Sequence, residues 1–347
     1  MGCYDIFCTL CGGPLNTGTI WDSLRSPDPQ PGGAYWDYNQ NLVCDEDLEW
    51  LRDVRIVDQD SHADVSAEVY YASEFDACLG AFDATDRNGS THWCYAFAKG
   101  ENEGNYPGNH FVMHSACLLI FGRWMYEEEK SVQDLYDALC LYNADDFRGV
   151  YLPNQHYGAE QFWEQFWVAE QGWEFMVKDP VNVPNMTEYI LSKLRPVSPE
   201  EKQLKARFNA INNTFSCSST GPGIERLPVR CFEQICAYLP LASIFSLRLS
   251  CRTLTSRMPL DQDFCRKQLL AGHLFALQDL DLGLVNERWE DIKDQDWRRL
   301  LRTLARYENF YAGEQGSGVL GELHDAPIGL KNRMRIIKIS QGIFMGI

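Results

Sequence analysis

The chain has 347 residues, 45% of them hydrophobic and 23% charged; at about 150 residues per domain this predicts two domains and excludes both a single stapled module and a disordered chain. The net charge of −18 is unevenly placed, with 33 acids and 11 bases in residues 1–200 and 16 acids and 20 bases in residues 201–347. Nucleic-acid binding draws on clustered cations, so nucleic acid is not an expected partner of the acidic half, whereas a basic protein target is.

The thirteen cysteines are odd in number and spread from Cys3 to Cys265, unlike the dense framework of a small secreted domain, which predicts a reducing compartment. Asp5 stands where a signal peptide would carry basic residues, and every apolar run is too short to span a bilayer. Met1-Gly2-Cys3 resembles the start of a myristoylation motif, but Ile6 occupies the position that needs Ser or Thr. The expectation is a soluble protein of the cytoplasm or nucleus with no membrane partner.

In chain order, Cys11-Gly12-Gly13-Pro14, Ser26-Pro27-Asp28-Pro29 and Pro31-Gly32-Gly33 break the first 120 residues into short segments. Residues 45–57 are predicted as one helix and residues 68–71 as a strand. Apolar residues become denser over 113–126, and Val132, Leu135, Leu139 and Leu141 recur with helical spacing over 131–141. Phe162, Trp163, Phe166, Trp167, Trp173 and Phe175 include pairs at i, i+4, read as core of the acidic domain, with the lining of a ligand pocket as the competing reading. The polar run 209–223 has the composition of a linker.

Two short motifs carry metal chemistry. Cys8-x-x-Cys11-Gly12-Gly13 is a tight turn able to aim two thiolates at one ion, and His114-x-x-Cys117 supplies a second pair at the same spacing. Together they make the Cys₃His set of a closed, structural zinc site, although about a hundred residues separate the pairs; unpaired buried thiols are the competing reading. Cys3, Cys44, Cys94 and His110 are spare ligand candidates. The sequence has no phosphate-cradling Gly-rich loop, no Gly-x-Ser-x-Gly and no His-Glu-x-x-His. Cys94 near His92 is a candidate pair for a thiol hydrolase by proximity in sequence alone.

After the polar run, Pro228 suits the first position of a helix and Pro240 ends it. Phe232, Ile235 and Leu239 form its apolar stripe, and Ile244, Phe245, Leu247, Leu249 and Leu254 supply two more short helices. So small a unit cannot bury all these side chains alone.

Leu227-Pro228, Ile235, Tyr238-Leu239-Pro240-Leu241, Ser243-Ile244, Leu247-Arg248-Leu249 and Cys251-Arg252-Thr253-Leu254 follow in the order of an F-box, which this segment resembles over about residues 225–256. It departs at Arg230, where the family usually has Glu, and at Cys231 and Cys236, in slots usually given to Leu or Val. Asp296-Trp297-Arg298-Arg299-Leu300 and the run from Gly329 to Ile336 look like closing segments of a group of fungal F-box proteins that also begin with Cys-x-x-Cys-Gly and later carry His-x-x-Cys. The resemblance implies a non-catalytic substrate-recognition subunit of an SCF-type cullin–RING ubiquitin ligase. It would dock on the Skp adaptor through Leu227, Pro228, Ile235, Leu239, Leu241, Ile244 and Leu247. The rival is an enzyme with its active site in the N-terminal domain and the F-box as a regulatory attachment.

The expected fold class is α+β: a mixed, turn-rich N-terminal domain over 1–208, the linker 209–223, a three-helix F-box over 224–265 and a mainly helical extension over 266–347. One structural zinc ion, held by Cys8, Cys11, His114 and Cys117, would tie the first domain together.

Overall fold

Val54, Ile56 and Val57 are β-branched residues that pair well on a pleated surface, and in the computed structural model they lie in a strand, β1 (Val54–Asp58), rather than in the expected helix. Only the first part of the predicted 45–57 helix winds, as a 3₁₀ helix over Asp45–Arg52. The chain then extends at Asp53, because pairing on both sides of β1 supplies hydrogen bonds that a continued helix would forgo. The structure describes residues 8–15, 39, 41–58, 67–72, 81–85, 89–95, 110–127, 130–142, 172–199, 223–228, 231, 234–236, 239, 241–257, 261–272, 274, 277, 279–306, 310 and 321–345.

The fold class is α+β. β1 joins β2 (Glu68–Ala72), β3 (Ala81–Thr85), β4 (Thr91–Tyr95) and β5 (Phe111–His114) in an antiparallel sheet of order β4-β3-β2-β1-β5. The strand expected at 68–71 is β2. In β5 all four residues are buried, and His114 stands opposite Val54.

Helix α1 (Ser115–Glu127) follows β5 with no intervening loop. It buries Cys117, Ile120, Phe121 and Trp124, the i, i+3, i+4, i+7 stripe of a helix with one face on a core. Helix α2 (Val132–Tyr142), expected from its spacing, opens on a capping box in which Ser131 Oγ accepts from the Asp134 N–H and Asp134 accepts from the Ser131 N–H. It buries Leu135 and Leu139, while Leu141 stays exposed.

The chain divides into two units, Met1–Val183 with Ile328–Ile347, and Pro184–Pro327. The last helix of the sequence therefore belongs to the first unit. It is called α10 (Ile328–Met345) here, after the helices of the second unit. Buried on several sides, α10 stacks Phe344 on Phe121 and Trp124 of α1, with ring centroids 5.9 and 5.3 Å apart. Its buried polar side chains find carbonyls: Arg333 donates to Pro180 and Val181, and Asn332 to Met176 and Lys178. Gly329 allows this approach, since a Cβ there would sit 2.5 Å from the Asp179 carbonyl oxygen.

The second unit contains α3 (Met186–Ser192), α4 (Leu241–Ser250), α5 (Arg252–Arg257), α6 (Gln262–Leu270), α7 (Leu282–Glu287), α8 (Trp289–Ile292) and α9 (Trp297–Leu304). Asp296 caps α9 by accepting from the Arg299 N–H and also accepts from Gln262, whose carbonyl receives the Arg298 N–H. Trp297, Leu300, Leu301 and Leu304 are buried on one face of α9. Among the described residues no helix is long and apolar enough to cross a membrane.

Candidate metal centre and the predicted adaptor-binding segment

The two halves of the Cys/His set reach one place from different directions. Cys8 and Cys11 sit on a turn closed by the Gly12 N–H donating to the Cys8 carbonyl (2.8 Å) and the Cys8 N–H to the Gly13 carbonyl (2.7 Å). Gly12 takes φ 68°, a region that disfavours side chains. The Thr9 N–H donates to the Val112 carbonyl (2.9 Å), fixing the turn against β5. His114 is the last residue of β5 and Cys117 lies in the first turn of α1, so the junction itself brings their side chains together.

Cys8, Cys11, His114 and Cys117 are all buried, and their ligand atoms lie within 4.8 Å of one another. His114 Nδ1 is 3.3 Å from Cys11 Sγ and 3.7 Å from Cys117 Sγ. Zinc bonds of about 2.3 Å to sulfur and about 2.0–2.1 Å to nitrogen imply tetrahedral edges of about 3.5–3.8 Å, so these spacings suit a shared ion. His114 Nε2 lies 3.1 Å from the Pro14 carbonyl oxygen, a pairing that leaves Nδ1 free to ligate and orients the ring. The sulfurs also accept backbone hydrogen bonds, Cys8 from the His114 N–H (3.4 Å) and Cys11 from the Gly13 N–H (3.3 Å). These four residues form a group that could hold a metal ion, and the donor set is compatible with zinc.

The protons and charges of the four groups are strongly linked. Burial resists ionisation of Cys11, yet hydrogen bonds from Cys117 and Cys8, with the charge of His114, hold its thiol well below the usual range. Burial and the two neighbouring sulfurs push Cys117 well above it. Burial works against a charged His114, but the sulfurs of Cys8 and Cys11 outweigh it and push the imidazole up to about 10. Three thiolates cannot share a buried pocket without a compensating cation, and a divalent ion allows all of them to ionise.

The surroundings close the site. The Trp50 ring stacks at a tilt 4.7 Å from the His114 ring, and its indole N–H donates to the Val177 carbonyl (2.8 Å). A Cβ on Gly13 would meet Cys11 Sγ at 3.2 Å and the His114 ring at 3.4 Å. Arg335 of α10 donates to the Cys11 carbonyl. Gly13 belongs to the Cys-x-x-Cys-Gly-Gly turn read from the sequence, whereas Trp50 and Arg335 carry no local signal of a role here, Arg335 standing only within the run from Gly329 to Ile336.

The spare ligands fall elsewhere. Cys44 is exposed and donates to Asp47, which raises its pKa along with Glu46, the larger influence. His110 Nδ1 lies 2.9 Å from Asp58 Oδ2. Cys3 and the side chains of His92 and Cys94 lie outside the described residues, as do Phe162, Trp163, Phe166, Trp167 and linker residues 209–222, while Gly223 opens a 3₁₀ turn over Gly223–Arg226. Phe175 is buried, with its ring 5.5 Å from that of Trp173.

In the segment expected to bind an adaptor, residues 231 and 234–236 are helical, and α4 and α5 follow. Cys236, Ile244 and Leu254 form a small core, against which Ile224, Leu239, Leu247, Cys251 and Phe264 pack. Cys251 accepts from the Leu254 N–H (3.4 Å) just ahead of α5, and Thr255 Oγ1 donates to the Arg248 carbonyl (2.7 Å). The Cys-Arg-Thr-Leu quartet thus starts a helix and anchors it in the core. Ile244 is fully buried there, Leu227, Ile235, Leu239 and Leu247 are half-buried, and Pro228 is exposed. The side chain of Leu241 and all of Arg230 lie outside the described residues. Phe245 and Leu249, one helical turn apart on α4, are 44% and 84% exposed.

No protein-family model matches the chain, and the searches of curated proteins and of solved structures return no match either.

Proposed function

We propose that this protein is a non-catalytic recognition subunit that docks on the Skp adaptor of an SCF-type ubiquitin ligase through residues 227–256, with a closed structural zinc centre organising its first unit. The observation that carries this reading is the apolar surface of α4: Leu249 and Phe245 stand in water beside a core that, among the described residues, buries Cys236, Ile244 and Leu254. A solvent-facing ring and leucine on one helix face, in a segment where Leu227, Ile235, Leu239 and Leu247 are only half-buried, are what a helical partner covers, and a few such anchors supply most of the energy of an interface. The ordered Leu-Pro, Leu-Pro-Leu and Cys-Arg-x-Leu motifs favour the Skp adaptor as that partner. Four protein ligands would leave zinc no open position, hence a structural ion. The target is a basic protein, drawn to the acidic first two hundred residues by forces that weaken with salt.

Co-expression of the full chain with the Skp adaptor, followed by affinity purification, tests the docking. Phe245→Asp with Leu249→Asp alters only exposed positions and is expected to lower adaptor recovery at least tenfold without changing thermal stability. Failure of the parent to retain the adaptor, or equal retention by the double variant, overturns the reading.

A further inference from the structure

Arg335 carries its charge away from water. Its side chain is buried, 5% exposed, in the interior of the first unit. Its Nε and Nη2 donate to Asn332 Oδ1 at 3.2 and 3.0 Å, and Nη1 donates to the Cys11 carbonyl. Among the described residues, every one of these acceptors is neutral. A buried guanidinium ordinarily faces a carboxylate, because removing its charge from water is costly without a countercharge. Asn332 cannot supply one, and its own amide is engaged with the Met176 and Lys178 carbonyls.

The arithmetic of the neighbouring centre supplies the missing charge. A divalent ion with three thiolates and one neutral imidazole has a net charge of −1, and Arg335 touches the backbone of one of the thiolate ligands. The Arg335 fork is held by Asn332, so the cation cannot swing away to solvent.

We propose that Arg335 is the built-in countercharge of the Cys₃His centre, a positioning residue that sets metal affinity and couples metal binding to the seating of α10. This rests on the zinc reading. Zinc favours the seated helix because the anionic centre offsets the desolvated guanidinium, and by the same linkage the seated helix tightens zinc.

The test uses the purified full-length chain and zinc alone, with affinity read by competition against a chromophoric chelator. Arg335→Gln is expected to weaken zinc binding about 10–100-fold, the usual effect of losing a group behind a metal ligand, while one equivalent still binds at saturation. Arg335→Lys, which keeps the charge, is expected to recover most of the affinity. In a Cys117→His background the centre becomes neutral, and Arg335→Gln is expected to change affinity less than threefold. Equal affinity for Arg335→Gln and the parent, or the same loss in both backgrounds, overturns the proposal and leaves the zinc reading standing. A parent that binds no zinc overturns both. A measurement on the parent alone covers a variant that fails to fold. Stripping zinc should speed amide exchange across 332–338 at least tenfold relative to α9, and unchanged exchange there overturns the coupling.

Discussion

Cys8, Cys11 and Cys117 gather around an imidazole in the interior of the first unit, whereas Cys236 and Cys251 sit among Ile244, Leu247 and Leu254 in a helical segment that keeps Leu249 and Phe245 in water. The same side chain does opposite work in the two places. In the first, the sulfurs lie against backbone N–H groups and a histidine, with a buried arginine on the Cys11 carbonyl. In the second, sulfur is a small apolar filler that also caps a helix. Environment, more than residue type, decides what a cysteine does: the first set gathers into a group that could hold a metal ion, and the second packs among aliphatic side chains.

The largest effect that would sharpen this contrast is expected from Cys8→Ser with Cys11→Ser. Bound zinc should fall from about one equivalent to none by elemental analysis, with at least about 5 kcal/mol lost from the stability of the first unit. Retention of metal by this variant would break the contrast at its root. Ile244→Ala should open a cavity beside Cys236 and Leu254 and cost about 2–4 kcal/mol in denaturant unfolding, with metal content unchanged. Gly329→Ala should cost about 1–3 kcal/mol, since its methyl would strike the Asp179 carbonyl and unseat α10. An unchanged melting temperature would mean that the helix can shift at no cost.

The smallest effect concerns an exposed pair in the second unit. Hydrogen bonding to Lys193 above all, aided by Tyr189, holds Asp325 below its ordinary pKa. A depressed carboxylate stabilises the fold fully above its unfolded pKa of about 3.9, and that contribution fades as pH falls through the lower folded value. Because the Asp325 side chain is 51% exposed, Asp325→Asn should cost only a few tenths of a kcal/mol near pH 7. The parent and the variant should converge in stability once the pH falls below that lowered folded value.

The metal-ligand candidates were legible because each pair is local: a Cys-x-x-Cys turn and a His-x-x-Cys step satisfy short-range geometry that sequence spacing reports directly. Helix α2 was legible for the same reason, its stripe and its Ser131 cap being local signals. The break at Asp53 was not, since what draws Val54 to Val57 into a strand is β2 and β5, distant in sequence. Arg335 was illegible for a related cause: in sequence it is one base among several in a basic run, and only the fold places its guanidinium on Cys11, 324 residues away. Ile244 was expected to anchor a partner, and the structure places it in the segment's own core.

The split first unit has a consequence for synthesis. The Cys8 turn, the sheet and α1 all leave the ribosome before the second unit, yet α10, which holds the Cys11, Met176, Lys178 and Pro180 carbonyls, is made after it. At about 5–20 residues per second, the Met176, Lys178 and Pro180 carbonyls wait roughly 8–30 s for their partner, the apolar face of α1 roughly 11–45 s and the Cys11 carbonyl roughly 16–65 s. The nascent chain must pass that interval with Phe121 and Trp124 lacking the ring of Phe344, which makes the period before α10 emerges the time of greatest need for a chaperone.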